Sequence, residues 1–225
     1  MRQAKIAAVV TTCLLASSAL AHGPSRHALP TDVLVKHWWQ LTLSIPNAVR
    51  SELGTTDAAC GLGQRGNVWF LSSDPSGDAP ITRDCTIPRG RKLFVPLVTA
   101  VCTPFPGETL EENIQICREA IDPYDQLTLT IDGRKRNDLI ERRAQSRGFA
   151  AWFPEDNIFD TPGQLDVPAG VYIAVAEGQF ALIEGLRVGE HVIHARAIST
   201  TDPNVPKFDV IFRIRIVAPT SVTPR

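Results

Sequence analysis

Five histidines and five cysteines are the residues of this 225-residue chain best suited to hold a metal or form a covalent link. The histidines are widely spread: after His22, His27 and His37 the next are His191 and His194. His191 and His194 sit three apart in a predicted strand, so they point to opposite faces and do not make a pair by themselves. The cysteines show no paired C-x-x-C spacing, which a structural zinc site would want. No nucleophile elbow, P-loop, H-E-x-x-H or helix-opening G-x-G-x-x-G occurs, and no catalytic residue is assigned. Glu155, Asp156, Asp160 and Asp166 supply carboxylates to one stretch, but without the fixed spacing of a calcium loop. Four tryptophans remain as binding candidates. Trp38 and Trp39 are adjacent, and the pattern predicts one buried and one exposed, the exposed ring serving as a stacking platform for a ligand. Trp69 reads as core. Arg134, Lys135, Arg136, Arg142, Arg143 and Arg147, diluted by Asp138 and Glu141, read as a solvated face.

The cysteines fix the compartment. Arg2 and Lys5 precede a mostly apolar run, Ile6 to Leu20, and Ala19-Leu20-Ala21 is an A-x-A cleavage signal; residues 1–21 read as a secretory signal peptide. That run is too short for a transmembrane helix, and no later stretch reaches the ~18 apolar residues a span needs. Cleavage removes Cys13 and leaves Cys60, Cys85, Cys102 and Cys117, an even number in an exported chain, which implies two disulfides. Three pairings are possible; Cys60–Cys85 and Cys102–Cys117 are preferred because both close local loops. Removing Arg2 and Lys5 takes 23 basic residues to 21 against 24 acidic, a net of −3. A weakly acidic chain has no bulk electrostatic reason to bind nucleic acid or an anionic membrane. Residues that are 44% hydrophobic and 21% charged suit an ordinary globular core.

The elements that must position these residues are mostly strands. Val33–Leu43 is a predicted helix, capped by Thr31 or Asp32 and ended by Pro46. Strands follow at Val68–Leu71, Ile81–Ile87 and Lys92–Thr99, with Pro96 marking an edge or a bulge. Thr109 and Glu112 form a capping box, and Leu110, Ile114, Cys117 and Ile121 make one helical face. Cys117 therefore points inward from a short helix that a Cys102–Cys117 bond would pin. Gln126–Ile131 alternates as a half-buried strand, and Asp132-Gly133 signals a hairpin turn. Phe149–Phe153, Val171–Val175, Gln179–Ile183, His191–Ile198 and Phe208–Val217 complete the strands. In the last, Phe208, Val210, Phe212, Ile214 and Ile216 face one way and Asp209, Arg213 and Arg215 the other, a sheet with one dry face. The expected fold is mainly β: a single β-sandwich, Ig-like or jelly-roll-like, over 31–218, with one or two short helices, an arm at 22–30 and a tail at 219–225.

The motifs Trp38-Trp39-Gln40, Gly63-Gln64-x-Gly66-x-Val68-Trp69-Phe70-Leu71, Cys85-Thr86-Ile87-Pro88-x-Gly90-x-x-Leu93-Phe94-x-Pro96 and Gly189-x-His191-x-Ile193-His194 resemble those of an uncharacterised group of exported bacterial β-rich proteins. The resemblance implies export and a β-rich fold and brings no activity. Separately, His22-Gly23 with Ser25-Arg26 is similar to the mature start of bacterial copper-dependent polysaccharide monooxygenases. That resemblance implies copper held by the α-amino group and ring of His22, with His191 or His194 as the second histidine. Leu186-x-x-Gly189-x-His191-x-Ile193 also resembles a sandwich corner, where a Tyr or His bonds back to nearby backbone. Together these readings describe an exported, disulfide-bonded binding or envelope-associated structural module, in the periplasm or outside the cell, with an undetermined ligand or partner and no cofactor. The alternative is a copper-dependent oxidoreductase using His22.

Overall fold

The computed structural model describes residues 30–50, 57–72, 80–104, 106–159 and 167–218. The expected signal peptide at 1–21, residues 22–29 of the expected arm, and the tail from 219 lie outside them. The helices are α1 (Thr31–Leu43), α2 (Asn47–Arg50), α3 (Asp57–Cys60) and α4 (Leu110–Ile121). The strands are β1 (Val68–Phe70), β2 (Ile81–Pro88), β3 (Lys92–Cys102), β4 (Gln126–Ile131), β5 (Arg134–Lys135), β6 (Ala144–Gln145), β7 (Phe149–Phe153), β8 (Gly170–Ile183), β9 (Gly189–Ile198) and β10 (Phe208–Val217). Among the described residues the protein is mainly β, in two sheets with few helices, the architecture the sequence predicts.

Sheet A runs β1-β3-β8-β6, with β7 continuing after β6 against β8. Sheet B runs β2-β10-β9-β4-β5. The pairs β1/β3 and β2/β10 are parallel; the other pairs are antiparallel. Between the sheets lies a core drawn from both, including Val95 and Leu97 of β3, Ile183 of β8, Leu129 of β4, Ile193 of β9 and Phe212 of β10. A second cluster covers the far face of sheet A, where Leu34, Val35, Trp38 and Trp39 of α1 meet Phe94, Phe180 and Phe153. Phe94 and Phe180 stack at 4.5 Å between ring centres, and Trp38 meets Phe180 edge-on at 5.8 Å.

Local chemistry explains the element ends. Helix α1 enters through Pro30, whose φ of −55° is preset by its ring, and no side chain caps it, so neither Thr31 nor Asp32 has the expected capping role. Helix α4 carries the predicted capping box: the Thr109 side chain accepts from the Glu112 amide, and the Glu112 carboxylate accepts from the Thr109 amide. Strand β3 shifts register between Pro96 and Val98, so Pro96 marks a bulge inside a strand that is paired on both sides. Residues 171–183, expected as two strands, form the single β8. Glu177 does not break it because its carboxylate is ion-paired to Arg143, at 2.5 Å. Gly178 is required there: a Cβ would stand 2.5 Å from the Val98 carbonyl oxygen.

Two disulfides form, Cys60–Cys85 and Cys102–Cys117, the locally closing pairs. They span Cα separations of 5.5 and 5.8 Å. The first ties α3 to β2, and the second ties α4 to the end of β3.

Candidate functional site

Sheet B has one dry face, and its other face is where charged groups gather. Along β10, Phe208, Val210, Phe212, Ile214 and Ile216 are buried, whereas Arg213 and Arg215 are exposed. Register sets their neighbours. Arg213 lies between Asp84 of β2 and Val192 of β9, and Arg215 between Thr86 and Glu190. The Arg213 guanidinium grips Asp84 with both arms, Nε to Oδ1 at 2.8 Å and Nη2 to Oδ2 at 3.0 Å. A shallow groove of about 430 Å³ crosses these three strands, lined by Asp84, Glu190, Val192, Arg213 and Arg215. Farther along the same face, the His194 ring meets Asp209 Oδ1 at 2.6 Å, and Arg196 Nε reaches Asp209 Oδ2 at 3.2 Å.

His191 borders the groove and is held by a turn. Asp132 and Gly133 both have positive φ, 51° and 76°, and form the two-residue hairpin loop between β4 and β5. One Asp132 oxygen accepts the Val192 amide at 2.9 Å, and the other lies 2.9 Å from His191 Nδ1. His191 Nε2 lies 2.9 Å from the Arg187 carbonyl oxygen. Both partners only accept, so both ring nitrogens must donate, and the ring is an imidazolium in this arrangement. Burial pulls the His191 pKa down, but the bonds to Asp132 and to the Arg187 carbonyl outweigh it and move it upward from 6.5. Burial likewise raises the Asp132 carboxyl, and the His191 and Val192 bonds outweigh that, so it titrates below 3.8. Neither His191 nitrogen offers a lone pair to a metal.

The candidate metal set is not assembled by the described residues. His22 lies outside them. The β9 pleat puts His191 on the inner side and His194 on the outer, each with a carboxylate partner. Among the described residues, no group of three or more His, Cys, Asp or Glu side chains could hold a metal ion. Of the acidic stretch, Asp160 and Asp166 lie outside the described residues, and Asp156 accepts the Ala48 amide at 2.7 Å.

Trp38 and Trp39 depart from the expected division into one buried and one exposed ring: both are buried, at 2% and 6% exposure. Helical neighbours sit ~100° apart, and the face α1 lays on sheet A is wide enough for both. The Trp38 indole donates to the Leu71 carbonyl at 2.6 Å and the Trp39 indole to Thr99 Oγ1 at 2.9 Å. The rings meet edge to face, 4.8 Å apart. With both indoles in the core, neither presents an open stacking surface. Trp152, on β7, is the exposed tryptophan, at 53%. The basic run is also divided by the fold. Arg134 and Lys135 are exposed on β5, Arg136 pairs with Asp138, and Arg143 bridges Glu177 and Asp122.

Sequence reasoning missed the groove. The outward charges of β10 were legible, but the parallel neighbour β2 that brings Asp84 to them was not.

No family model matches the chain, and no curated protein does either. Among solved structures, the solution structure of amebosin is similar over 62% of this chain and all of its own length, at 12% identity and a TM-score of 0.20, a likeness too slight to carry any argument.

Proposed function

We propose that the protein is an exported binding module, clamped by its two disulfides, whose recognition surface is the open face of sheet B. The observation that carries this reading is the groove of about 430 Å³ across β2, β10 and β9, with Asp84 and Glu190 set against Arg213 and Arg215. Strands hold these side chains in fixed register, so the groove is preorganised and costs little ordering on binding. Charges of both signs suit a polar ligand that itself carries both, such as a peptide with free termini. Most of the other described sheet surface is covered: α1 lies on the far face of sheet A, and the facing sides of the two sheets form the core except where Trp152, Val171 and Ile173, apolar and without charge, are exposed at β7 and the start of β8. No described helix is long and apolar enough to cross a membrane, and the disulfides fit an oxidising compartment.

Amide-resolved NMR titration with a panel of zwitterionic dipeptides and neutral oligosaccharides tests the reading. Shifts confined to β2, β9 and β10, and lost in Arg215→Glu, are expected. Shifts clustered on α1, or none with any probe, overturn it. Stoichiometric copper binding that disappears in His22→Ala would instead promote the oxidoreductase.

A further inference from the structure

Two turns carry the chain between the sheets at the end of the sandwich where β9 begins. Arg89-Gly90-Arg91 leads from β2 of sheet B into β3 of sheet A, and residues 184–188 lead from β8 of sheet A into β9 of sheet B. The antiparallel pair Leu93↔Ile183 sets the two turns side by side. Gly90 and Gly185 hold φ of 88° and 74°, a conformation that L side chains rarely adopt, and this lets each turn fold tightly. Between the turns lies a cleft of about 250 Å³, lined by Arg89, Arg91, Lys92, Arg187 and Glu184.

Four cations face one acid in this cleft. The acid is already engaged: Glu184 takes Lys92 Nζ at 2.5 Å. Among the described residues no carboxylate pairs with the Arg89, Arg91 or Arg187 side chains. The chain as a whole carries a net charge of −1, so this concentration runs against its average. Three guanidiniums around one concavity repel one another unless an anion sits among them, and a concave wall focuses their field. A guanidinium fork matches the oxygens of a tetrahedral oxyanion two at a time. We infer that the two sheet-crossing turns form a binding cleft for a multiply charged oxyanion of the phosphate or pyrophosphate type, held by Arg89, Arg91 and Arg187. A single carboxylate would offset one of three charges, so the cleft favours the higher-charged group. This cleft is separate from the sheet B groove, where charges of opposite sign already balance, and the inference does not rest on binding there.

Calorimetric titration of the full chain with pyrophosphate and with inorganic phosphate, in low-salt buffer, tests it. One saturable site is expected, tighter for pyrophosphate and weakening steeply as sodium chloride is added. The double variant Arg89→Ala/Arg91→Ala and the single variant Arg187→Ala should each weaken pyrophosphate at least tenfold with an unchanged melting temperature. The double variant Arg89→Lys/Arg91→Lys should keep the charge but lose part of the affinity, because the forks are gone. A free phosphate and a phosphomonoester lipid head group present the same oxyanion. Pyrophosphate-competed sedimentation with phosphatidic acid vesicles would assign the head group, and pyrophosphate binding without sedimentation would assign a soluble ligand. No saturable binding of any of these probes, or binding undiminished in both the double and the Arg187 variants, overturns the proposal.

Discussion

The two sheets are built alike but treated differently. The middle of sheet A is buried on both faces: in β3, residues 93–98 are buried without interruption, and in β8 residues 174–178 are, whereas toward β7 one face opens and Trp152, Val171 and Ile173 are exposed. Sheet B alternates, with every second residue of β10 buried and those between them wholly or partly in solvent. A strand covered on both sides reads as a continuous apolar run, and a strand with one wet face alternates. Burial therefore decides which charged groups stay open to a ligand. The middle of sheet A spends both faces on packing, against sheet B and against α1. Sheet B holds its strands with one face and leaves the other free for charged groups in fixed register.

The largest effect is expected on sheet A. Trp38→Ala removes the largest anchor of α1, with its bond to Leu71, and should cost about 3–5 kcal/mol in denaturant unfolding. A loss below about 1 kcal/mol would mean that α1 does not seal that face. Next come the disulfides, which tie helices to both sheets. The Cys102–Cys117 link closes a separation of 15 residues, and its loss should cost about 3 kcal/mol on loop entropy. Intact mass should show both bonds as four missing hydrogens, and four free thiols in the native protein would refute them.

The pH dependence sharpens the sheet B side. His191 titrates above its ordinary 6.5, so its stabilisation is full below 6.5 and is lost as pH rises through the folded value. Asp132 titrates below 3.8, so its share is present above that and is lost as pH falls through the folded value. The pair is therefore at full strength between those limits. The stability gap between the native chain and Asp132→Asn, a variant that keeps a residue tolerant of the left-handed turn, should narrow from pH 6 to pH 9. A gap constant across that range would exclude the ion pair. The smallest effect is expected in the groove. Arg213→Ala breaks a pair whose side chains are 60% and 44% exposed, and it should cost under about 1 kcal/mol. A larger loss would make the groove part of the framework and remove the contrast between the sheets.

Local signals decided much of this protein. The alternation of β10, the Thr109–Glu112 cap, the Asp132-Gly133 turn and the bulge at Pro96 all follow from residue types within a few positions of one another, because steric preference and local hydrogen bonding act over that range. Pairing the cysteines by the shortest loops gave the connectivity the fold adopts. What the sequence could not decide depends on partners far along the chain. Trp38 and Trp39 are both buried because sheet A offers one broad surface to α1, assembled from strands that run from Val68 to Ile183. Glu177 sits inside a strand because Arg143 reaches it from a neighbouring segment. Asp84 meets Arg213 across 129 residues because β2 pairs in parallel with β10. Arg91 and Arg187 share a cleft because two turns cross between the sheets at the same end. Side-chain pattern fixes which face of a strand is dry, whereas strand order, set by packing the whole chain at once, fixes which charges meet.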